Sequence, residues 1–265
     1  MLRISGLHQI FHPGEVNEVH ALRGIELTLP TSQFVTLIGS NGAGKSTLFN
    51  VIAGVYGPTQ GTIVIDDVDV TAWPEPKRAT LIGRVFQDPL SGTAASMTIA
   101  QNLTLALLRD QRRRLRPGVD EKRRAFFREV LAPLGLGLEN RLDARVALLS
   151  GGQRQALTLL MATMARPKIL LLDEHTAALD PATAATILDL TKEIIAHQEL
   201  TTLMITHNMQ QALTTGDRTL MLDRGQIVLD LSAAEQAHMT VQDLVDQFQA
   251  VRHEQLADDE LLLAT

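Results

Sequence analysis

The chain has 265 residues, 45% of them apolar, enough to bury a sizeable core in one large domain or in a domain carrying an inserted subdomain. A net charge of -6 at pH 7 excludes the basic, domain-wide footprint of a bulk nucleic-acid binder, so no nucleic-acid partner is expected. The absence of cysteine excludes disulfides, thiolate metal sites and cysteine nucleophiles.

The first residues, MLRISGLHQIF, lack the apolar run of a secretory signal. No stretch approaches the roughly 18 continuous apolar residues of a membrane span, so a membrane process served by this chain needs another chain to cross the bilayer. The alternation in IELTL (25–29) and TIVID (62–66), with turn residues at Gly57, Pro58 and Gly61, predicts antiparallel strands. Three short apolar runs, FVTLIG (34–39), KILLLDE (168–174) and TTLMITH (201–207), read as buried strands, each leading into a helical pattern. That order predicts an open parallel sheet with helices on its faces, whose chemistry collects at the carboxyl ends of the strands. Lys45, Asp173, Glu174 and His207 fall there. Between about 98 and 148 the pattern turns helical and arginine-rich, a helical insertion in the α/β core. After Asp230, VQDLVDQFQAV places Val241, Leu244, Val245, Phe248 and Val251 on one face of a short amphipathic helix, ahead of a polar tail.

Residues Gly39, Ser40, Asn41, Gly42, Ala43, Gly44, Lys45, Ser46 and Thr47 spell GSNGAGKST, which fits G-x-x-x-x-G-K-[ST] between a strand and a helix. Backbone N–H groups from Asn41 to Ser46 suit a β-phosphate, Lys45 the β and γ oxygens, and the Ser46 hydroxyl Mg²⁺. ILLLDE delivers two carboxylates to the same edge: Asp173 suits the Mg²⁺ shell and Glu174 can polarise a water aimed at the γ-phosphate. His207 can hydrogen-bond that phosphate and orient the water. Gln87, in RVFQDP, ends another short strand, where its amide can reach Mg²⁺ or the water; a solvated turn residue is the equal alternative.

In this order and spacing, GSNGAGKST, Gln87, LSGGQ, LLLDE, AALD and His207 resemble the ATPase subunits of ATP-binding cassette (ABC) transporters, over nearly the whole chain to about residue 230. Within that family the pattern is most similar to a bacterial importer group assigned to tryptophan or tyrosine transport. The resemblance implies an α/β fold, a P-loop NTPase with an ABC ATPase core, an antiparallel β-subdomain and an inserted helical subdomain. Its expected division is 1–91 for the β-subdomain and first part of the core, 92–152 for the helical subdomain ending in LSGGQ, 153–230 for the second part of the core, and 231–265 for a C-terminal helix and tail. It also implies ATP and Mg²⁺ as cofactors and a head-to-tail homodimer in which Ser150, Gly151, Gly152 and Gln153 face the partner's ATP. The resemblance further implies that Phe11 stacks on adenine and that Asp180 belongs to the loop that contacts the other subunit's site. The implied partners are integral-membrane permease subunits and, indirectly, an extracytoplasmic solute-binding protein, at the cytoplasmic face of the bacterial inner membrane.

Where members of the family usually read DEPTSALD, this chain has DEHTAALD, with His175 and Ala177 in place of Pro and Ser. His175 is expected to be a solvated or capping residue, since no second His or Cys stands at ligand spacing. The arginine-rich run 109–124 reads as a solvated helical face, with docking to a permease loop or lipid headgroups as the alternative. The rival function is a soluble ABC ATPase acting on nucleic acid or ribosomes. That would need a long inserted coiled coil or two fused cassettes, and the sequence has neither.

Overall fold

The computed structural model describes residues 1–109 and 118–250. In β1 (Leu2–Phe11) and β2 (Val19–Leu29), an antiparallel pair, Leu2, Ile4 and Leu7 stand opposite Leu29, Leu27 and Ile25, and all six are buried. β3 (Phe34–Gly39) is buried along most of its length, as a strand covered on both faces must be, and passes through the glycine-rich loop into α1 (Lys45–Ala53). β4 (Gln60–Ile65) returns beside β1, and β5 (Val68–Asp69) completes an antiparallel sheet of order β2-β1-β4-β5. One helical turn, α2 (Glu75–Arg78), puts Arg78 fully inside the protein. Its guanidinium donates to the carbonyls of Val51, Ile52, Thr71 and Trp73, and so satisfies the C-terminal end of α1.

β6 (Ile82–Val85) enters the second sheet before the chain turns helical. α3 (Ile99–Leu107) starts at a Thr98–Gln101 capping box, and Asp120 caps α4 (Glu121–Leu131). Three tight 3₁₀ turns, Ala132–Leu134, Leu138–Asn140 and Val146–Leu148, lead to α5 (Gly151–Thr163). Ile99, Leu103, Phe127 and Leu131 form a separate core with Leu157 of α5. Of the arginine-rich run, residues 110–117 lie outside the described residues; Arg124 forms a 2.5 Å ion pair with Asp143.

The chain then runs through β7 (Ile169–Asp173), α6 (Pro181–Gln198), β8 (Thr201–Ile205), α7 (Met209–Thr215), β9 (Arg218–Asp223), β10 (Gln226–Ser232) and the turn α8 (Ala233–Gln236). The second sheet has order β10-β9-β3-β8-β7-β6, parallel throughout except for β10. α1 is packed between the two sheets: Leu48, Phe49, Val51 and Ile52 join Leu171, Leu203 and Leu220 on one side and Leu2, Ile4 and Ile63 on the other. Leu170, Leu172 and Met204 point to the opposite face, against Leu159 of α5 and Ile195. Residues 241–250 are helical and seat Leu244 fully buried against Ile38, Ala212 and Met221, with Phe248 beside it. Val251 lies outside the described residues. Among those residues no helix is long and apolar enough to cross a membrane.

Candidate nucleotide site

The glycine-rich loop owes its shape to two close approaches. At Gly39 (φ 150°) a Cβ would lie 2.1 Å from the Leu222 carbonyl of β9, and at Gly44 (φ 105°) one would lie 2.5 Å from the Ala21 carbonyl of β2. Only glycine fits either place. The loop is tied further by Gly225 N–H donating to Ala43 O (2.9 Å) and by Ser40 Oγ donating to Asp223 Oδ1 (3.1 Å). It delivers the N-terminus of α1, whose unpaired N–H groups and dipole favour an anion. Lys45, the first residue of α1, is buried and donates its ammonium to Gly39 O (2.8 Å) and Ser40 O (2.9 Å). Burial pulls its pKa down, while the Glu174 and Asp173 carboxylates push it back up.

Above the loop lies a cleft of about 780 Å³, within the range of small-molecule sites. Its walls include Phe11, Asn41, Gly42, Gly44, Lys45, Ser46, Thr47, Gln87 and Glu174. Phe11 has its ring 5.3 Å from that of Tyr56 in an edge-to-face contact. Gln87 sits two residues beyond the end of β6. Glu174 follows β7 with φ 46°, a left-handed conformation that costs a non-glycine residue about 1 to 2 kcal/mol and gathers at functional sites. Its backbone N–H is held by Ile205 O at 3.1 Å. Its carboxylate lies 3.4 Å from Nδ1 of His207, whose side chain is 66% exposed. Glu174 and His207 together line an adjoining cleft of about 440 Å³, so Glu174 stands on the ridge between the two.

Asp173 ends β7 and is mostly buried, with Arg84 Nη2 at 3.2 Å from its Oδ2. Burial raises its carboxyl pKa and outweighs the lowering by Arg84. The described residues hold no cluster of three or more His, Cys, Asp or Glu that could bind a metal. What this edge offers is a hydroxyl on Ser46, a carboxylate on Asp173 and an amide on Gln87. Such a small set of hard oxygen donors fits a cation completed by phosphate oxygens and water, the habit of Mg²⁺.

The remaining predicted residues stand elsewhere. Ser150 caps α5: its Oγ accepts from Gln153 N–H and its own N–H donates to Gln153 Oε1, both at 3.2 Å. The Gln153 amide also donates to Leu136 O (3.2 Å), which leaves it engaged within its own chain. At Gly152 a Cβ would lie 2.4 Å from Thr183 Cγ2, so α5 and α6 meet there at glycine distance. Asp180 caps α6, accepting from Thr183 N–H at 3.1 Å. None of Leu149 to Gln153, nor Asp180, lines the cleft over the glycine-rich loop.

His175 departs from expectation. It is 2% exposed rather than solvated, and its Nε2 lies 3.0 Å from Thr191 Oγ1 of α6. Burial depresses its pKa from 6.5 to about 4. Because the unfolded chain takes up this proton near pH 6.5 and the folded chain does not, stability is retained above 6.5 and lost as pH falls toward 4. The loss is about 3 kcal/mol. Urea unfolding of wild type and His175→Gln from pH 7 to 4 checks it: the difference between their stabilities should change across that window, and parallel curves would refute the assignment.

Sequence reasoning missed several groups at the site: Arg84, Tyr56 and the wall of the cleft formed by Arg23 and Arg224 with His20. The one legible signal was Arg84, a charge inside the otherwise apolar IGRVF.

Comparison with known proteins agrees with this geometry. The family model described as ABC transporter matches residues 22–177. The chain is 42% identical over 251 residues to a tyrosine transport ATP-binding protein of Clostridioides difficile (strain R20291), covering 94% of this chain and 99% of that one. It is 35% identical over 231 residues to the methionine import ATP-binding protein MetN of Escherichia coli (strain K12), covering 86% of this chain but 64% of that longer one. Among solved structures, a dimeric ATP-binding cassette in a post-hydrolysis state bound to ADP and Pi superposes with a TM-score of 0.75 at 27% identity, covering 88% of this chain and 99% of that one. An ABC transporter cassette in its ADP conformation gives a TM-score of 0.77 at 25% identity, covering 94% and 98%. The phosphate loop, the carboxylates at the sheet edge and these matches together identify the chain as an ATP-binding, ATP-hydrolysing member of the ABC transporter family.

Proposed function

We propose that this ATPase works as a head-to-tail homodimer around two MgATP and drives a separate membrane permease that imports a small solute. The observation that carries the reading is the separation within one chain of two phosphate-directed elements. The loop 39–47 lines the chain's own cleft, whereas the N-termini of α5 and α6, with Ser150, Gly151 and Asp180, lie outside it. A helix N-terminus beginning Ser-Gly-Gly suits a phosphate, and here that phosphate belongs to the second copy's ATP.

In each composite site the adenine stacks on Phe11, and the N–H groups from Asn41 to Ser46 hold the phosphates while Lys45 meets their β and γ oxygens. Ser46 and Asp173, with Gln87, would hold Mg²⁺, which neutralises charge on those oxygens when bound. Glu174 accepts the proton of the attacking water, and His207, within reach of its carboxylate, orients water and carboxylate together. The strained backbone of Glu174 fixes where that base stands.

The proposed location is the cytoplasmic face of the bacterial inner membrane, against a permease fed by an extracytoplasmic solute-binding protein. The cargo class, aromatic amino acids, rests on the tyrosine transport relative, whose match extends over 94% of this chain. Co-purification with a candidate permease and solute-binding protein, followed by uptake into proteoliposomes, tests the assignment. ATP-dependent uptake of labelled tyrosine or tryptophan is the expected outcome; uptake of an unrelated solute alone would overturn the cargo, and no complex with any permease would overturn the transport role.

A further inference from the structure

Arg84 has no place in the chemistry so far, yet it is among the most constrained cations near the site. β6 and β7 are parallel and in register, Arg84 opposite Leu171 and Val85 opposite Leu172. Side chains two residues apart on a strand share a face, so Arg84, Leu171 and Asp173 all point to the side of the sheet covered by α1. From that position the guanidinium, 14% exposed, spans two elements: Nη1 donates to Asn50 Oδ1 of α1 at 2.8 Å and Nη2 to Asp173 Oδ2 at 3.2 Å. Its carbon lies 4.7 Å from the ring centroid of Phe86, the residue before Gln87.

In a planar guanidinium the donor directions are fixed, so with Nη1 held by Asn50 the Nη2 donor meets one oxygen of Asp173 from a set direction, which a lysine ammonium does not reproduce. One carboxylate oxygen of Asp173 is thereby occupied, while its other oxygen makes no hydrogen bond among the described residues. We infer that Arg84 is a positioning residue for the metal-binding carboxylate: braced by Asn50 and Phe86, it locks the Asp173 side chain so that the free oxygen faces the cation. It thereby ties the helix that carries Lys45 and Ser46 to the strand that carries Asp173. This rests on the reading of Asp173 as a Mg²⁺ ligand.

The test is nucleotide binding by calorimetry as Mg²⁺ is titrated from EDTA upward, a readout that does not involve turnover. In Arg84→Met the Mg²⁺ concentration that gives half of the metal-dependent gain in ATP affinity should rise about 10-fold or more, as when an outer-shell partner of a ligand is removed. Affinity in EDTA should stay as in wild type. Arg84→Lys should recover part of the shift, and Asn50→Ala, which removes only the brace, should move the midpoint in the same direction by less. These two carry the test if Arg84→Met does not fold. A midpoint unmoved in the Arg84 and Asn50 variants but displaced in Asp173→Asn would overturn the inference alone. An unmoved midpoint in Asp173→Asn would overturn the metal assignment and the inference with it.

Discussion

Glu174→Gln is expected to bind ATP as wild type does and to lose turnover by about 10²-fold or more, because an amide of the same shape cannot accept the water's proton. The geometry makes the substitution clean. The carboxylate is only partly buried, the exposed His207 lies 3.4 Å from it, and the left-handed backbone is held by Ile205 O independently of the side chain. Trapped ATP should then keep two subunits together, so light scattering should register a dimer in MgATP that ADP does not produce. Near-normal hydrolysis by this variant would remove Glu174 from the mechanism.

Mixing two inactive variants should restore hydrolysis. Lys45→Ala lacks the ammonium held over the phosphate loop and should bind nucleotide weakly in calorimetry, since the lost cation meets the phosphates directly. Gly151→Asp should bind nucleotide normally as a monomer yet fail to dimerise or hydrolyse, because it sets a carboxylate against the partner's γ-phosphate. Position 151 suits the experiment better than 152: a Cβ at Gly151 meets only the end of the Leu179 side chain, at 3.2 Å, and that side chain can yield. A mixed dimer contains one composite site with both an intact phosphate loop and an intact Ser-Gly-Gly element, whereas either variant alone has none. Recovery of activity on mixing establishes the head-to-tail arrangement. Full activity and normal dimerisation of Gly151→Asp by itself would reduce the element to a helix cap.

The strands at the centre of the parallel sheet were legible because burial on both faces leaves an unbroken apolar run, as in FVTLIG and ILLLD. β9 was not singled out: its apolar stretch, TLML, is framed by Asp217, Arg218 and Asp223, and its place beside β3 is set by pairing across most of the chain. The phosphate loop was legible because its glycines answer to steric demands that no other residue meets. Arg84 and Asp173 could be joined only once β6 was known to run beside β7, a fact of tertiary pairing. His175 misled for a related reason. With no second His or Cys at ligand spacing it read as solvated or capping, but Thr191, 16 residues on, supplies the hydrogen bond that makes its burial tolerable.

The clamp on the phosphate loop sets an order of events during synthesis. The loop leaves the ribosome early, yet one of its walls is the Leu222 carbonyl, and the amide that ties Ala43 belongs to Gly225. At 5 to 20 residues per second, the roughly 180 residues between them take about 10 to 40 s to arrive. Through that interval the nascent chain displays GSNGAGKST without β9, the strand that pairs with β3 beside it. A chain arrested near residue 210 would contain Lys45, Asp173, Glu174 and His207 in full and still lack the Leu222 carbonyl and the Gly225 amide against which the phosphate loop is shaped.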